Sequence, residues 1–425
     1  MCSNSVDTLG KKIRDRGDST YLYKNTVRVL PLAMVDDSNA ISKCGMESLS
    51  LNTFINTQIE LKKLRFHIPD KDGKSKCHKM HVGGKKGSCL ILKVHGTEME
   101  EVSEDMYLGY LIRNDGKNTK HVEKIISKGL GIITQIMNLL EIVSFGHHYM
   151  EIAMMFRESM FLNGILFNAE IWYGLTKAEI KEFEDLDRLL LRKILKVPFS
   201  TPQESFYLEL GILPISVVIK ARRINYLYYL VSRKESEMLQ KFFITPWNNP
   251  TKGDWTETVK ENLEEMEIPV NLEFIKSISK ERFKKMVKIK SQEYASKVLK
   301  EQQGKHSKMK NVLYTEIKIQ SYLTNPGIKV EQMRNIFKLR TRMAPLGENF
   351  RGGKESICCP LCSTHLDNQE MFFKCPEVKK KINAECGMEK IYIENVGVET
   401  ANIVSRMLKA REEMVEEKKK ETKKK

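Results

Sequence analysis

The chain has 425 residues, enough for two or three units that each bury a core of their own. Lysine and arginine number 71 against 55 aspartates and glutamates, a formal +16 that favours a polyanionic partner, nucleic acid before a membrane surface. A secretory leader, a disulfide framework and an apolar run approaching the ~20 residues of a spanning helix are not seen, so a nuclear or cytoplasmic protein, not a secreted one, is expected.

Met1 to Tyr23 is polar and basic, and Tyr21-Leu22-Tyr23 begins strand-like sequence. From Val27 to Ser42 two apolar runs flank Asp36 and Asp37, which reads as a strand, a tight turn carrying both acids, and a second strand. Adjacent carboxylates at such a turn suit a hard cation such as Mg²⁺ held together with nucleotide phosphates; they also suit an ordinary turn. Leu51, Phe54, Ile55 and Ile59 recur at helical spacing, Leu64–Ile68 alternates as a strand, and Asp70–Lys74 is its turn. Lys76 to His81 is a basic loop whose two histidines have no second ligand pair at useful spacing. Leu90–Val94 predicts a strand, and Met106–Ile112 another that ends at Asn114-Asp115-Gly116.

From Thr119 to about Arg233 the period becomes helical, with stripes at Phe183, Leu186, Leu190 and Ile194 and at Ile224, Leu227, Tyr228 and Val231. Gly211 and Pro214 mark a helix end and the next start. Arg188, Arg192, Lys193 and Lys196, with Lys220, Arg222 and Arg223, are read either as solvated faces or as phosphate contacts. Thr245 to Trp255, with two prolines, a glycine and two tryptophans, predicts a boundary loop. Ile275 to about Gln320 is lysine-rich and helical with a break at Gly304–Ser307, and Ser405 to Lys425 reads as a solvated helix fraying into disorder.

Five of the nine cysteines cluster at Cys358, Cys359, Cys362, Cys375 and Cys386. The two-residue gap in Cys359-Pro360-Leu361-Cys362 lets two thiolates face one tetrahedral zinc, and Cys375 is a third candidate.

Met34-Val35-Asp36-Asp37, followed by Ile41–Gly45, resembles the palm hairpin of reverse transcriptases of non-LTR (LINE-type) retrotransposons, with Met34 where an aromatic residue is usual. Tyr107-Leu108-Gly109 resembles that family's primer-grip box, and the segment from Cys359 to Cys375 resembles its C-terminal cysteine knuckle. The resemblance implies an RNA-directed DNA polymerase that engages an RNA and DNA template-primer. It implies Asp36 as a Mg²⁺ ligand assisted by Asp37, Tyr107, Leu108 and Gly109 against the primer end, and a thumb whose Arg188, Arg192, Arg222 and Arg223 track phosphates. Lys76 would meet the leaving pyrophosphate, unless it lies in a solvated loop. The knuckle histidine of the family falls at Met371, a poor zinc ligand; His365 takes its place, or Cys358 does, or the segment has lost its metal.

The two-metal chemistry needs a further aspartate from an earlier strand, and only Asp7, Asp15 and Asp18 precede the hairpin, all in polar sequence. The expectation is therefore the C-terminal part of a polymerase, inactive alone, or a non-catalytic nucleic-acid-binding protein derived from a retroelement. The expected fold is α+β: a partial palm over 1–115, a helical thumb over 116–245, a lysine-rich helical region over 246–350, a knuckle over 351–390 and a charged tail over 391–425.

Overall fold

The computed structural model describes residues 20–22, 27–29, 32–34, 37–39, 41, 45–61, 77–82, 90–94, 96–143, 148–172, 174–234, 238–305, 307–309, 312, 314, 316–349, 358–393 and 395–424. Among these the chain is mostly helical, and the short strands all precede residue 114, which makes the class α+β. β1 (Thr20–Leu22) pairs antiparallel with β2 (Val27–Val29), and β3 (Leu32–Met34) with β4 (Asp37–Asn39). The single strand expected before the aspartates is thus two, and Asp37 opens β4 opposite Met34 rather than standing in the turn. Asp36 and Lys76, and the strand and turn expected over 64–74, lie outside the described residues.

α1 (Gly45–Leu61) buries Leu51 and Phe54 in a small cluster of their own. Its Asn52 reads both polar groups of one peptide residue, donating to the Lys93 carbonyl at 3.0 Å and accepting from the Lys93 amide at 3.1 Å. β5 (His78–Lys79), β6 (Lys93–Val94), β7 (Thr97–Glu98) and β8 (Glu100–Glu101) are two-residue strands, so the long strand expected at 90–94 is reduced to its last two residues. β9 (Glu104–Tyr107) and β10 (Tyr110–Arg113) form a hairpin in the stretch expected to be one strand. Leu108 (φ 47°) and Gly109 (φ 81°) are both left-handed, the backbone of a two-residue turn whose twist matches its strands.

The helical part begins with α2 (Thr119–Ile142) and α3 (Tyr149–Phe156), the latter prolonged by a π-helical segment, Arg157–Leu162. By length and composition α2 is apolar enough to cross a membrane, which corrects the expectation that no run reaches that length; its Ile133, Ile136 and Leu140 are nevertheless buried in the protein core. α4 (Lys177–Leu195) starts at a capping box, in which Thr176 Oγ1 accepts from the Glu179 amide and Glu179 accepts from the Thr176 amide. Its predicted stripe of Phe183, Leu186, Leu190 and Ile194 is buried. α5 (Gln203–Leu210) ends at Gly211 (φ 65°), where an added Cβ would stand 2.1 Å from the Ile319 amide nitrogen. Only a residue without a side chain lets the 318–320 backbone come so close.

α6 (Ile215–Val231), α7 (Met238–Asn248), α8 (Trp255–Glu265), α9 (Leu272–Ser277) and α10 (Lys280–Lys305) follow. α7 runs through Pro246, so the expected boundary loop shrinks to the six residues before Trp255, where Asp254 caps α8 by accepting from the Glu257 amide. α11 (Ser321–Thr324), α12 (Val330–Arg340), α13 (Gln369–Phe372), α14 (Pro376–Ile382), α15 (Glu389–Tyr392) and α16 (Val398–Lys424) complete the chain. One hydrophobic cluster extends from Val122 to Ala410 and runs unbroken across 245, 350 and 390, the expected boundaries. The stretch from Ser405 expected to be solvated contributes Met407 and Ala410 to it, following Ala401 and Val404 on the same helix.

Candidate metal centre

Cys359, Cys362 and Cys375 carry sulfurs that all lie within 4.8 Å of one another, so the three could hold a metal such as zinc. Thiolates bound to one tetrahedral zinc at about 2.3 Å stand roughly 3.8 Å apart. The Cys359 and Cys375 Sγ atoms are 3.9 Å apart, which fits.

Local backbone bonds make the turn that presents the first two sulfurs. The Cys359 amide donates to the His365 carbonyl at 2.6 Å, the Ser363 amide donates to the Cys359 carbonyl at 2.9 Å, and Ser363 takes the left-handed conformation (φ 55°) that reverses the chain. Cys358 bridges to Leu366 at the base of this loop and is exposed, while buried Cys386 points elsewhere, toward the Gly387 carbonyl; neither belongs to the three-sulfur group. Cys375 comes from the other side as the residue before α14, whose Pro376 occupies the first helical position without leaving an amide unpaired.

The three thiols differ in their readiness to ionise. The Cys362 thiol is brought down to about 6, chiefly by the Thr364 hydroxyl, with burial opposing this and His365 adding to it. Burial pushes the Cys375 thiol up, partly offset by the amides of Val378 and Glu377 and reinforced by the neighbouring Cys359. A cation among the three would reverse this, because a coordinated thiol is held as thiolate.

His365 Nδ1 lies 3.6 Å from Cys362 Sγ, about the separation of an imidazole nitrogen and a thiolate on one zinc, although His365 is not within the compact three-sulfur group. Met371, at the expected histidine position, is on α13, which Asn368 caps by accepting from the Met371 amide at 2.9 Å.

The surroundings that hold the loop come from residues the sequence reading did not single out. Lys418 of α16 donates to the carbonyls of Pro360 at 2.9 Å and Leu361 at 2.7 Å, between the two knuckle cysteines. Arg411, two turns earlier on α16, holds both oxygens of buried Asp367 at 2.8 and 2.6 Å, and Asp367 also accepts from the Gly347 amide. Two cations seven residues apart share one helix face, and that spacing was the available signal.

The remaining expected site residues are dispersed. Of the catalytic pair, Asp37 is described as a strand residue only. Tyr107, Leu108 and Gly109 form the hairpin tip, where Asn168 donates to the Leu108 carbonyl at 3.2 Å and a Cβ on Gly109 would meet the Phe167 ring at 2.9 Å. The glycine thus admits a protein ring. Arg188, Arg192 and Arg223, expected on a phosphate-facing surface, are buried. Arg188 is paired with Asp185 and Glu184, and the Arg192 guanidinium lies 4.4 Å over the Phe199 ring. Burial lowers Arg223 to about 10. Half-buried Arg222 donates to the Leu166 carbonyl at 2.6 Å. Helical periodicity places a cation on a face, but only the packing decides that this face looks inward.

No family model matches the chain, and no curated protein or solved structure matches it.

Proposed function

We propose that this chain derives from the C-terminal region of a LINE-type reverse transcriptase and that, by itself, it holds RNA and DNA strands without extending them. The observation that carries this reading is the meeting of Cys359, Cys362 and Cys375 in a knuckle, in the same chain and order as the Asp36-Asp37 and Tyr107-Leu108-Gly109 motifs. Zinc would sit on the three thiolates with His365 as the fourth donor, closing a small module on the helical core. The net charge of +16 supplies the attraction for a phosphate backbone. In this reading β3 and β4 correspond to the palm hairpin, β9 and β10 to the primer grip, and α2 to α6 to the thumb.

Strand extension needs two metals held by carboxylates from two strands. Before Asp36 this chain offers only Asp7, Asp15 and Asp18, in polar sequence. The purified chain is therefore expected to bind primed and single-stranded nucleic acid with little sequence preference and a steep salt dependence, and to incorporate no labelled nucleotide on a primed RNA template. Incorporation that disappears in Asp36→Ala would replace this reading by that of a polymerase. Affinity that stays flat from low to moderate salt would remove the nucleic-acid reading altogether.

A further inference from the structure

Two helices of the core, α6 and α10, leave a cleft of about 80 Å³ between them, lined by Asn225, Tyr228, Tyr229, Ser232, Lys280 and Lys284. From Lys280 to Lys290 the sequence has six cations (Lys280, Arg282, Lys284, Lys285, Lys288, Lys290) and one acid, Glu281. Two other lysines of the same helix are paired with acids: Lys290 lies 3.0 Å from Glu293 and 3.8 Å from Glu267, and Lys305 lies 3.3 Å from Glu301. Among the described residues Lys280, Lys284, Lys285 and Lys288 meet no carboxylate, and all four are exposed. Lys280, Lys284 and Lys288 succeed one another at four-residue intervals, about 6 Å of helix each, so their ammonium groups form a rising row beside the cleft.

The other wall is aromatic. Tyr229 is 42% exposed, its ring is stacked on Tyr226 with centroids 5.6 Å apart and planes 18° from parallel, and the Arg233 guanidinium lies 4.0 Å from its centre. Tyr226, Tyr229 and Arg233 stack in turn at the end of α6, so both faces of the Tyr229 ring are covered and its exposed part borders the cleft together with Lys280 and Lys284. Tyr228, which also lines the cleft, donates its hydroxyl to the Ile278 carbonyl at 3.0 Å. An apolar slot bordered by an aromatic edge, with unpaired ammonium groups along its rim, matches a strand whose unpaired bases can enter the slot against that edge while its phosphates follow the row of charge. A duplex hides its bases and can use only the lysines.

We propose that the α6–α10 cleft is a binding site for single-stranded nucleic acid, with a base against Tyr229 and successive phosphates on Lys280, Lys284 and Lys288. The site rests on the nucleic-acid reading above and names where and how a strand is held.

The test uses the full chain and labelled oligo(rU) and oligo(dT) of about 12 nucleotides, a base-paired hairpin, and heparin as a polyanion without bases. Lys280→Glu/Lys284→Glu is expected to weaken oligonucleotide and heparin binding about tenfold and to reduce the single-strand salt slope by about 1.4. Tyr229→Ala is expected to weaken the oligonucleotides by about tenfold, leave heparin and the hairpin unchanged, and be rescued by Tyr229→Phe. The rU and dT arms show which strand chemistry is preferred. Lys297→Glu/Lys305→Glu carries the same charge change at the far end of α10; an equal loss there, in folded protein, would reduce the effect to net charge and overturn the site. Oligonucleotide binding indifferent to Tyr229→Ala would overturn it as well. Parent protein that binds none of the probes would remove the nucleic-acid reading and this site together, whereas strong binding untouched by all the variants would remove the site alone.

Discussion

Arg340 Nε donates to Glu209 Oε1 at 2.7 Å in a place where neither side chain is more than 1% exposed. The same carboxylate accepts from the hydroxyls of Tyr322, at 2.9 Å, and Tyr314, while the guanidinium also donates to the carbonyls of Ile391 at 2.7 Å and Ile393 at 2.9 Å. One pair therefore ties α5, the 314–322 segment, α12 and the turn after α15 into a single core. Removing one member leaves a buried charge without its partner, which costs about 3–5 kcal/mol. Arg340→Met and Glu209→Leu are each expected to lower the unfolding free energy from urea titration by that amount, and the double variant by clearly less than their sum. Additive losses in that cycle would mean that the two residues act independently.

Zinc is expected at one per chain in the parent and to be lost in Cys359→Ser, by metal analysis after dialysis. His365→Ala should weaken it at least tenfold, because three protein ligands leave a tetrahedral position open. Met371→His in the His365→Ala background tests whether an imidazole at the expected family position can substitute. Metal held as tightly in His365→Ala as in the parent would exclude His365 as a ligand.

Lys418 crosses from α16 to the carbonyls inside the knuckle, so the metal loop and the last turns of the helix should stabilise each other. Lys418→Ala is expected to cost about 1 kcal/mol and to speed both zinc loss to a chelator and tryptic cutting of the C-terminal turns. Unchanged zinc release in that variant would separate the helix from the metal loop.

His121 gives the protein an acid-sensitive point at the junction of β10 and α2. Its Nδ1 accepts from the Leu111 amide at 3.2 Å, and its Nε2 is buried without a partner. Burial first, and Lys124 second, lower its pKa from 6.5. Below about pH 6.5 the unfolded chain takes up a proton that the folded one refuses, so this contribution to stability is full above that pH and is lost as pH falls toward the lowered native value. His121→Asn, which keeps an acceptor for Leu111, should show a smaller fall in thermal midpoint between pH 7 and pH 5 than the parent. Parallel pH profiles for the two proteins would rule this out.

The helices from 119 to 233 were legible in the sequence because a repeated apolar stripe needs no distant partner to be recognised, as at Phe183, Leu186, Leu190 and Ile194. Cys359, Cys362 and Cys375 were legible too, since a two-residue gap fixes how two sulfurs can face one ion and a third cysteine 13 residues on is within reach of a loop. Other features depended on what packs against what. Arg188, Arg192 and Arg223 looked like a basic surface and became buried cations, because the helices carrying them pack with those positions turned inward, where Glu184 and Asp185 pair with Arg188. Leu108 gave no sign of a hairpin tip, as a leucine rarely takes a positive φ and only the pairing of β9 with β10 holds it there. The charged stretch from Ser405 looked solvated because glutamate and lysine dominate it, yet its Met407 and Ala410 continue the apolar row of Ala401 and Val404 that the core covers. Sequence alone determined the local periods, the thiol spacing and the excess of positive charge. Tertiary structure decided which cations face solvent, and so moved the candidate strand-binding surface from the arginines of α4 to the unpaired lysines of α10.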